Sequence, residues 1–212
     1  PNTLDEDKEN LEQLNVDVLF LPSKEEMYKI VPDVKVPSST LFNKLEGKSR
    51  PHFFYGVTTI VSKLFNVIQP THAFFGEKDA QQLRIIQEMI HAMNYSITLI
   101  PCPTIRNQNG LALSSRNQYL TSEEQTIASI IYQSLIKIKE GLDNTQNINH
   151  LKKQFKSAIS TIPTMSVDYI SIADSNSLDE VNKLENKQLL ISAAVFLNRV
   201  RLIDNITYYP ST

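Results

Sequence analysis

The sequence predicts an α/β protein in which a doubly wound parallel sheet is followed by a smaller α+β domain with antiparallel strands. In the first half, short apolar runs alternate with amphipathic helical segments, a pattern typical of parallel strands joined by right-handed helical crossovers. In the second half, three apolar runs follow one another without helices between them, which favours antiparallel pairing. The pattern changes near Pro103, so we expect domains at residues 1–103 and 104–212.

The first half contains two capping boxes, in which Thr3 is paired with Glu6 and Ser23 with Glu26. They predict helices that begin near residues 4 and 24. Apolar periodicity predicts further helices over residues 54–68 and 78–94, and short apolar runs predict strands over residues 16–21, 72–75 and 96–100. Residues 31–50 are expected to be rich in loops.

The second half begins with a third capping box, Thr121 with Glu124. It predicts a long amphipathic helix that continues to about residue 142, with Gly141 near its end. Another helix is predicted around residues 151–159. The three strands are predicted over residues 167–173, 189–197 and 199–206.

Composition excludes several classes of protein. The 212 residues include 41% hydrophobic residues, enough to bury a core, and a net charge of −2, which argues against nucleic-acid or membrane-surface binding. The longest apolar run, residues 189–197, is about half of the ~18 residues that a membrane-spanning helix needs. Cys102 is the single cysteine, which rules out an internal disulfide and fits a reducing compartment. We therefore expect a cytoplasmic protein.

The first candidate binding segment is the turn after the predicted strand at residues 72–75, where an apolar strand meets a glycine and a helix begins within two residues. In parallel α/β sheets, ligands bind at this end of the strands. Lys78 lies in the first helical turn, where the helix dipole disfavours a cation unless a bound polyanion reverses the balance. Asp79 and Gln82 share one face of that turn. The alternative is that Lys78 extends into solvent and Gln82 is a surface residue.

The second candidate segment follows the tight turn predicted at Asn109-Gly110. Ser114 and Ser115 precede Arg116, so two small hydroxyl donors stand beside a permanent cation, a combination suited to phosphate oxygens. The alternative is that the serines make only local turn hydrogen bonds while Arg116 pairs with a surface acid. Because the two segments flank the strand predicted at residues 96–100, a shared phosphate site is favoured.

Other types of site find less support. The four histidines have no metal-ligand spacing, and the P-loop, G-x-G-x-x-G and G-x-S-x-G patterns are absent from the sequence.

Several blocks, in order, resemble the pantoate–β-alanine ligase family, and the resemblance runs from residue 1 to about residue 206. The two most specific blocks are Phe75-Gly76-Glu77-Lys78-Asp79-Ala80-Gln81-Gln82-Leu83 and Gly110-Leu111-Ala112-Leu113-Ser114-Ser115-Arg116-Asn117. Residues 45–51, 63–66 and 201–205 resemble further blocks of the family.

The resemblance implies a Rossmann-like nucleotide-binding domain and an ATP-dependent ligase. In such an enzyme, pantoate and ATP form pantoyl adenylate and pyrophosphate, and the amine of β-alanine then displaces AMP to give pantothenate. It also implies Mg²⁺ beside ATP, with ligands that the sequence leaves open, and a homodimer in which the helix at residues 54–68 could form the interface.

The resemblance also assigns residues. Lys78, Ser114, Ser115 and Arg116 would act on the phosphates and carry catalysis. ATP would in addition contact Gly76, Glu77, Asp79, Leu113 and, on the adenine side, Ile105. Gln82 would bind pantoate, and Ile60 and Val61 would line its pocket.

The sequence departs from the family's pattern in three places. The family's His-x-Gly-His nucleotide motif is absent, so about the first quarter of the usual enzyme, with its first parallel strand, is expected to be missing and the predicted sheet incomplete. We therefore expect little ligase activity from the 212-residue chain alone. Where the family usually has glycine and histidine, the chain has His52 and Phe53, and Asn109 replaces an aspartate.

Two other functions stay open at this point. One is a related nucleotidyltransferase that adenylates a different acid. The other is a non-catalytic remnant that serves as a dimerisation or regulatory module.

Overall fold

The computed structural model describes residues 4–29, 39–144 and 147–210. It divides the chain into two compact units, residues 1–35 and residues 36–212. Each unit is considered by itself below.

The amino-terminal unit contains two helices, α1 (Leu4–Gln13) and α2 (Lys24–Tyr28). The capping box of α2 is confirmed: the Ser23 hydroxyl accepts a hydrogen bond from the backbone N–H of Glu26 at 3.1 Å, and the Glu26 carboxylate accepts one from the N–H of Ser23 at 2.8 Å. These hydrogen bonds hold the pKa of Glu26 below its usual value. Thr3, the predicted cap of α1, lies outside the described residues.

The strand predicted over residues 16–21 is wrong. These residues form no strand, and their apolar side chains are exposed, with Val18 80% exposed. A strand exists only when a neighbouring backbone completes its hydrogen bonds, and this segment pairs with none of the described residues.

The larger unit begins with short helical turns, a 3₁₀ helix at Thr40–Asn43 and α3 (Glu46–Ser49), in the part expected to be loop. The predicted alternation follows in α4 (Phe53–Ile68), β1 (His72–Gly76), a 3₁₀ turn (Glu77–Asp79), α5 (Ala80–Ala92) and β2 (Thr98–Cys102). β1 and β2 pair in parallel, with His72 opposite Thr98, so the parallel sheet is confirmed with two strands. Its strand β2 starts two residues later than predicted.

The rest of the unit has three helices, α6 (Ser122–Ala128), α7 (Ile130–Asn144) and α8 (Ile148–Ser160). The single long helix predicted after Thr121 is interrupted at Ser129, whose hydroxyl donates to the carbonyl of Thr126 at 2.7 Å. Such a hydrogen bond competes with the helical backbone pattern. Gly141 lies inside α7, where a Cβ would come within 2.4 Å of Leu151, so it permits close helix packing rather than ending the helix.

The three final strands are confirmed: β3 (Met165–Asp174), β4 (Leu189–Leu197) and β5 (Val200–Tyr208). They form an antiparallel sheet in the order β3-β4-β5, which leaves β5 at an edge. β4 is almost wholly buried because helices α6 to α8 pack on the face that carries Leu189 and Ile191, while Leu190 on the opposite face packs in a second apolar cluster. This explains why its sequence is apolar apart from Ser192. The predicted α/β fold class is therefore confirmed.

An apolar cluster packs α4, α5 and the 3₁₀ helix at Thr40–Asn43 against the antiparallel region of the larger unit. Leu178 and Leu190, from the antiparallel region, pack with four side chains from the first half of the unit: Leu41, Phe42, Phe54 and Ile85. All six are at most 6% exposed. The domain boundary near Pro103 stays a prediction, and this cluster packs side chains from both of its sides together.

Within the part of the chain that the structure describes, no helix combines the length and the apolar character needed to cross a membrane.

Candidate active site

A cavity of about 260 Å³ lies where the start of α5 meets the antiparallel sheet. Its walls come from the segment around α3, from the first turn of α5, and from β3, β4 and β5. Three sequence-predicted residues, Lys78, Asp79 and Gln82, contribute to the wall at the start of α5. Arg116 reaches the same cavity from the second candidate segment.

The turn after β1 is held in place by the edge strand of the antiparallel sheet. Gly76 ends β1, and the 3₁₀ turn Glu77–Asp79 leads into α5. The side-chain amide of Asn205, on β5, donates to the carbonyls of Glu77 at 3.0 Å and Lys78 at 2.8 Å. Asp79 occupies the N-cap position of α5 without a side-chain capping hydrogen bond. The first N–H groups of a helix have no intrahelical partners, and this end favours anions.

Lys78 and Arg116 are cations that have no acidic partner among the described residues. Both line the main cavity and also a narrower one beside it, where Ser114 joins them. Neither forms an ion pair with any described acidic side chain. Arg116 therefore does not form the surface ion pair considered above with any acid in the described part of the chain. Two unpaired cations at one cavity, next to a helix N-terminus, make an environment suited to a polyanion.

Ser114 has the local role that the alternative interpretation gave it. Its hydroxyl caps the 3₁₀ helix Ser115–Tyr119 by accepting from the N–H of Arg116 at 3.2 Å. This contact fixes the backbone on which Arg116 is carried. The hydroxyl oxygen accepts in that contact, so its own hydrogen stays available as a donor.

The loop before Ser114 is fixed by Arg106. Its guanidinium donates to both carboxylate oxygens of Asp204, at 2.6 and 2.8 Å, and to the carbonyl of Gly110 at 3.0 Å. It also lies 3.7 Å from the centroid of the Tyr132 ring. Bidentate pairing and stacking together hold a planar guanidinium in one orientation.

Gly110 is required at the turn of this loop, because its φ is +91° and a Cβ would come within 2.7 Å of the Tyr132 ring. We expect Gly110→Ala to lower the free energy of unfolding by about 1–3 kcal/mol, through backbone strain and this close contact. Gly56→Ala is the matched control: Gly56 is helical and a Cβ there would meet nothing within 4 Å, so that change should be neutral or stabilising by about 0.5–1 kcal/mol. Urea unfolding of both variants measures the difference, and equal effects would contradict this account of the turn.

A network of charged side chains forms another wall of the cavity. Arg201, on β5, donates to both carboxylate oxygens of Glu46, at 2.6 and 3.0 Å, and to Asp168, on β3, at 2.7 and 3.0 Å. Burial lowers the pKa of the Arg201 guanidinium, but the hydrogen bonds to Glu46 and Asp168 outweigh burial and hold that pKa above its usual value. Burial, followed by the negative charge of Glu46, raises the pKa of the neighbouring Tyr169 phenol well above its usual range. Tyr169 therefore presents a neutral hydroxyl to the cavity.

The two adjacent glutamines of α5 have different roles. Gln81 is buried and joins the start of α5 to the segment before α3: its amide donates to the carbonyls of Leu41 and Lys44, at 2.7 and 2.8 Å, and its carbonyl accepts from the N–H of Glu46 at 3.0 Å. Gln82 is half-buried on the cavity wall, and no described residue hydrogen-bonds its side chain. Gln82 is therefore the one of the pair that is available to a ligand.

The other predicted site residues lie outside these two cavities. Ile60 and Val61 are half-buried in α4. Ile105 and Leu113 are exposed neighbours, since the N–H of Leu113 donates to the carbonyl of Ile105 at 2.9 Å. Gly76, Glu77 and Ser115 are exposed next to cavity residues. The structure thus places Lys78, Asp79, Gln82, Ser114 and Arg116 at two adjoining cavities, and the remaining predicted residues line neither of them.

His52 preserves a backbone shape that glycine would adopt easily. It has φ of 67°, in the left-handed region, and forms the N-cap of α4. A non-glycine residue pays about 1–2 kcal/mol for this conformation. Position 52, where the resembled family usually has glycine, is thus in a conformation that glycine adopts without this strain.

The comparisons with known proteins agree on one family. The family model described as pantoate-beta-alanine ligase matches residues 1–207. The chain belongs to this family. The pantothenate synthetase of Thermosipho africanus is 42% identical over 206 residues, which cover 97% of this chain and 74% of that protein.

Solved structures of pantoate–β-alanine ligases have the same fold. The pantothenate synthetase of Thermus thermophilus superimposes with a TM-score of 0.89 at 32% identity, over 99% of this chain and 76% of the other. The ligase of Francisella tularensis, crystallised with beta-gamma ATP and beta-alanine, superimposes with a TM-score of 0.74 at 34% identity, over 97% and 70% of the two chains.

Several residues of the site were not predicted from the sequence. The residues that fix its walls are Glu46, Arg106, Tyr169, Arg201, Asp204 and Asn205. A usable signal did exist in the strand predicted at residues 199–206, because Arg201 and Asp204 place charges within a segment that also carries apolar side chains for burial. Charged residues at buried strand positions need partners, which points to a network.

Proposed function

We propose that this protein condenses pantoate with β-alanine at the expense of ATP, through a pantoyl-adenylate intermediate, and releases AMP and pyrophosphate. The observation that carries the proposal is the position of Lys78 and Arg116, two unpaired cations at one cavity in a chain of the pantoate–β-alanine ligase family. The complex of the Francisella relative with a nucleotide and beta-alanine supports the same substrates here.

The first chemical step places charge on phosphate oxygens. A carboxylate oxygen of pantoate attacks the α-phosphorus of ATP, and the bond from that phosphorus to the bridging oxygen breaks as pyrophosphate leaves. Lys78, Arg116 and the N–H groups at the start of α5 would stabilise this charge, since preorganised donors act most strongly where charge develops. The hydroxyls of Ser114 and Ser115 would add donors at the same phosphates. Gln82, on the same wall as Lys78, would hold pantoate by hydrogen bonds.

The second step needs a neutral amine. The nitrogen of β-alanine attacks the acyl carbon of the adenylate, the bond to the AMP oxygen breaks, and the nitrogen releases a proton to the departing AMP phosphate or to water. The cavity wall formed by Glu46, Tyr169 and Arg201 is polar but internally paired, so it can border the reacting groups without supplying a free charge.

The residues present are compatible with Mg²⁺ carried by the nucleotide. No group of three metal-ligating side chains that could hold a metal ion by itself occurs among residues 4–29, 39–144 and 147–210. Mg²⁺ at phosphate sites needs only one or two carboxylates besides the phosphates and water. Of the cavity carboxylates, Glu46 and Asp204 are held by arginines, whereas Asp79 forms no ion pair with a described residue, so we propose Asp79 as the protein ligand. Mg²⁺ bound there would neutralise part of the phosphate charge.

Assembly and location are proposed on the family likeness. We propose a cytoplasmic homodimer in which α4 contributes to the interface. Its exposed Tyr55, Val67 and Ile68 offer apolar surface for a second copy.

The activity is tested by following AMP formation with pantoate, β-alanine and ATP. Two polypeptides are compared, the 212-residue chain and the full-frame enzyme, by which we mean the product of the complete reading frame that contains these residues. We expect AMP to form only when pantoate is present, and faster in the full-frame enzyme. Pantoate-dependent exchange of pyrophosphate into ATP separates this function from adenylation of another acid.

Two outcomes would reject the proposal. Exchange that depends on another acid and ignores pantoate would favour a related nucleotidyltransferase. Self-association without any ATP binding would favour a non-catalytic module, an alternative that the comparisons do not favour.

A further inference from the structure

Two adjacent residues of β5 hold the two segments that carry the unpaired cations. Asn205 donates to the carbonyls of Glu77 and Lys78, at 3.0 and 2.8 Å, and so fixes the turn that carries Lys78. These hydrogen bonds connect residues 127 and 128 positions apart in the sequence. Within the described residues, they are the only hydrogen bonds from a β5 side chain to this turn.

Asp204 holds the other segment. It is 5% exposed, and both of its carboxylate oxygens accept from Arg106, which in turn donates to the Gly110 carbonyl. The loop fixed in this way continues directly to Ser114 and Arg116. Loss of the Asp204 carboxylate would leave the Arg106 guanidinium half-buried and without an acidic partner.

The two anchors are also joined to each other. Their Cα atoms are about 3.8 Å apart because they are consecutive. The N–H of Asn205 donates to the Asp204 carboxylate at 2.8 Å. Successive side chains of a strand point to opposite faces, so Asp204 and Asn205 reach two different segments from one position of β5. One dipeptide thus contacts the Lys78 turn directly and the loop before Arg116 through Arg106.

We propose that Asp204 and Asn205 are positioning residues that set the distance between Lys78 and Arg116 for the phosphates of ATP. The inference rests on the proposed function, since it takes ATP to be the polyanion of this cavity. Asn205 acts through Lys78, and Asp204 acts through Arg106 and the loop that carries Arg116. Fixed donors lose much of their effect when they are displaced by about 1 Å, which can cost about 10²-fold in rate.

The test measures ATP affinity by calorimetry in the full-frame enzyme and in Lys78→Ala, Asn205→Ala and the double variant. We expect each single change to weaken binding by about five- to tenfold, and the double variant to be no more than about twofold weaker than Lys78→Ala, because Asn205 acts through a side chain already removed. Asn149→Ala, an exposed asparagine of α8, is the matched control and should leave affinity unchanged.

Additive losses in the double variant would overturn the proposal, since a merely structural role adds to the loss of Lys78. An unchanged affinity in Lys78→Ala or Asn205→Ala would also overturn it. If circular dichroism shows that Asn205→Ala does not fold, Asn205→Ser, which keeps a shorter donor, replaces it in the same cycle. These affinities are measured without pantoate and test the positioning proposal. The proposed function is tested separately, because it is rejected when no pantoate-dependent AMP forms. Asp204→Asn should weaken ATP binding when it is introduced alone. It should add little to the loss of ATP affinity that Arg116→Ala causes.

Discussion

Replacing Lys78 with alanine is expected to lower pantoate-dependent AMP formation at least about tenfold in the full-frame enzyme. Lys78 is half-buried at the entrance of α5, lines both cavities and has no acidic partner among the described side chains. A preorganised charge that meets the developing phosphate charge stabilises the transition state more than the ground state. Initial rates of AMP release, with saturating pantoate and β-alanine, measure the effect.

The control for Lys78 is a lysine of equal length and charge away from the cavity. Lys137 is exposed on α7 and has no ion pair in the described part of the chain, so Lys137→Ala should keep the wild-type rate. If Lys78→Ala and Lys137→Ala have the same kcat and KM, Lys78 has no part in the mechanism. A rise in KM alone would show that it binds ground state and transition state equally.

Local sequence signals predicted much of the fold because each acts within a few residues. The capping boxes at Ser23 and Thr121 place the helix starts directly, since cap and partner are three residues apart. The run at residues 189–197 becomes β4 with the predicted bounds, because a strand buried on both faces is predominantly apolar, and Ser192 is the one polar residue of this run.

The errors have the opposite origin. Residues 16–21 have the composition of a buried strand, yet composition does not supply a partner backbone, and the segment is exposed in this structure. The helix predicted from residue 121 breaks at Ser129 because a side-chain hydrogen bond competes with the backbone, and apolar periodicity does not register such competition.

The candidate site was predicted only in part, because sequence signals act over a few residues. Lys78, Asp79, Gln82, Ser114 and Arg116 lie in two short blocks with local turn signals, and the structure places them at two adjoining cavities. The residues that hold these blocks together are joined across 98 to 155 positions, as Arg106 is to Asp204 and Glu46 to Arg201. No spacing rule in a single sequence connects such distant pairs, so they became visible only in the fold.

The second large effect is expected on stability, from Arg201→Ala. This change leaves the buried Glu46 carboxylate without its arginine and removes two hydrogen bonds from Asp168, which retains the hydroxyl of Ser49 at 3.1 Å. Removal of one partner from a buried pair costs about 3–5 kcal/mol, and the partial exposure of Asp168 places the expected loss at the lower end, about 3 kcal/mol. Urea unfolding, followed by circular dichroism, measures the loss.

Two further variants separate the pairing of charges from the shape of the side chain. Arg201→Lys keeps the charge but not the planar fork, so it should recover part of the stability and leave one Glu46 oxygen unpaired. In a double-mutant cycle, Arg201→Ala and Glu46→Gln should couple by about 1–3 kcal/mol in the free energy of unfolding, since each removes the same bidentate contact. Independent effects, together with a fully stable Arg201→Ala, would show that this wall of the cavity is held by the apolar cluster around Leu41 and Leu190 rather than by the network. Because Glu46 is also joined to Gln81 through its backbone N–H, a confirmed coupling would tie the stability of the antiparallel sheet to the position of α5, and so to the turn that carries Lys78.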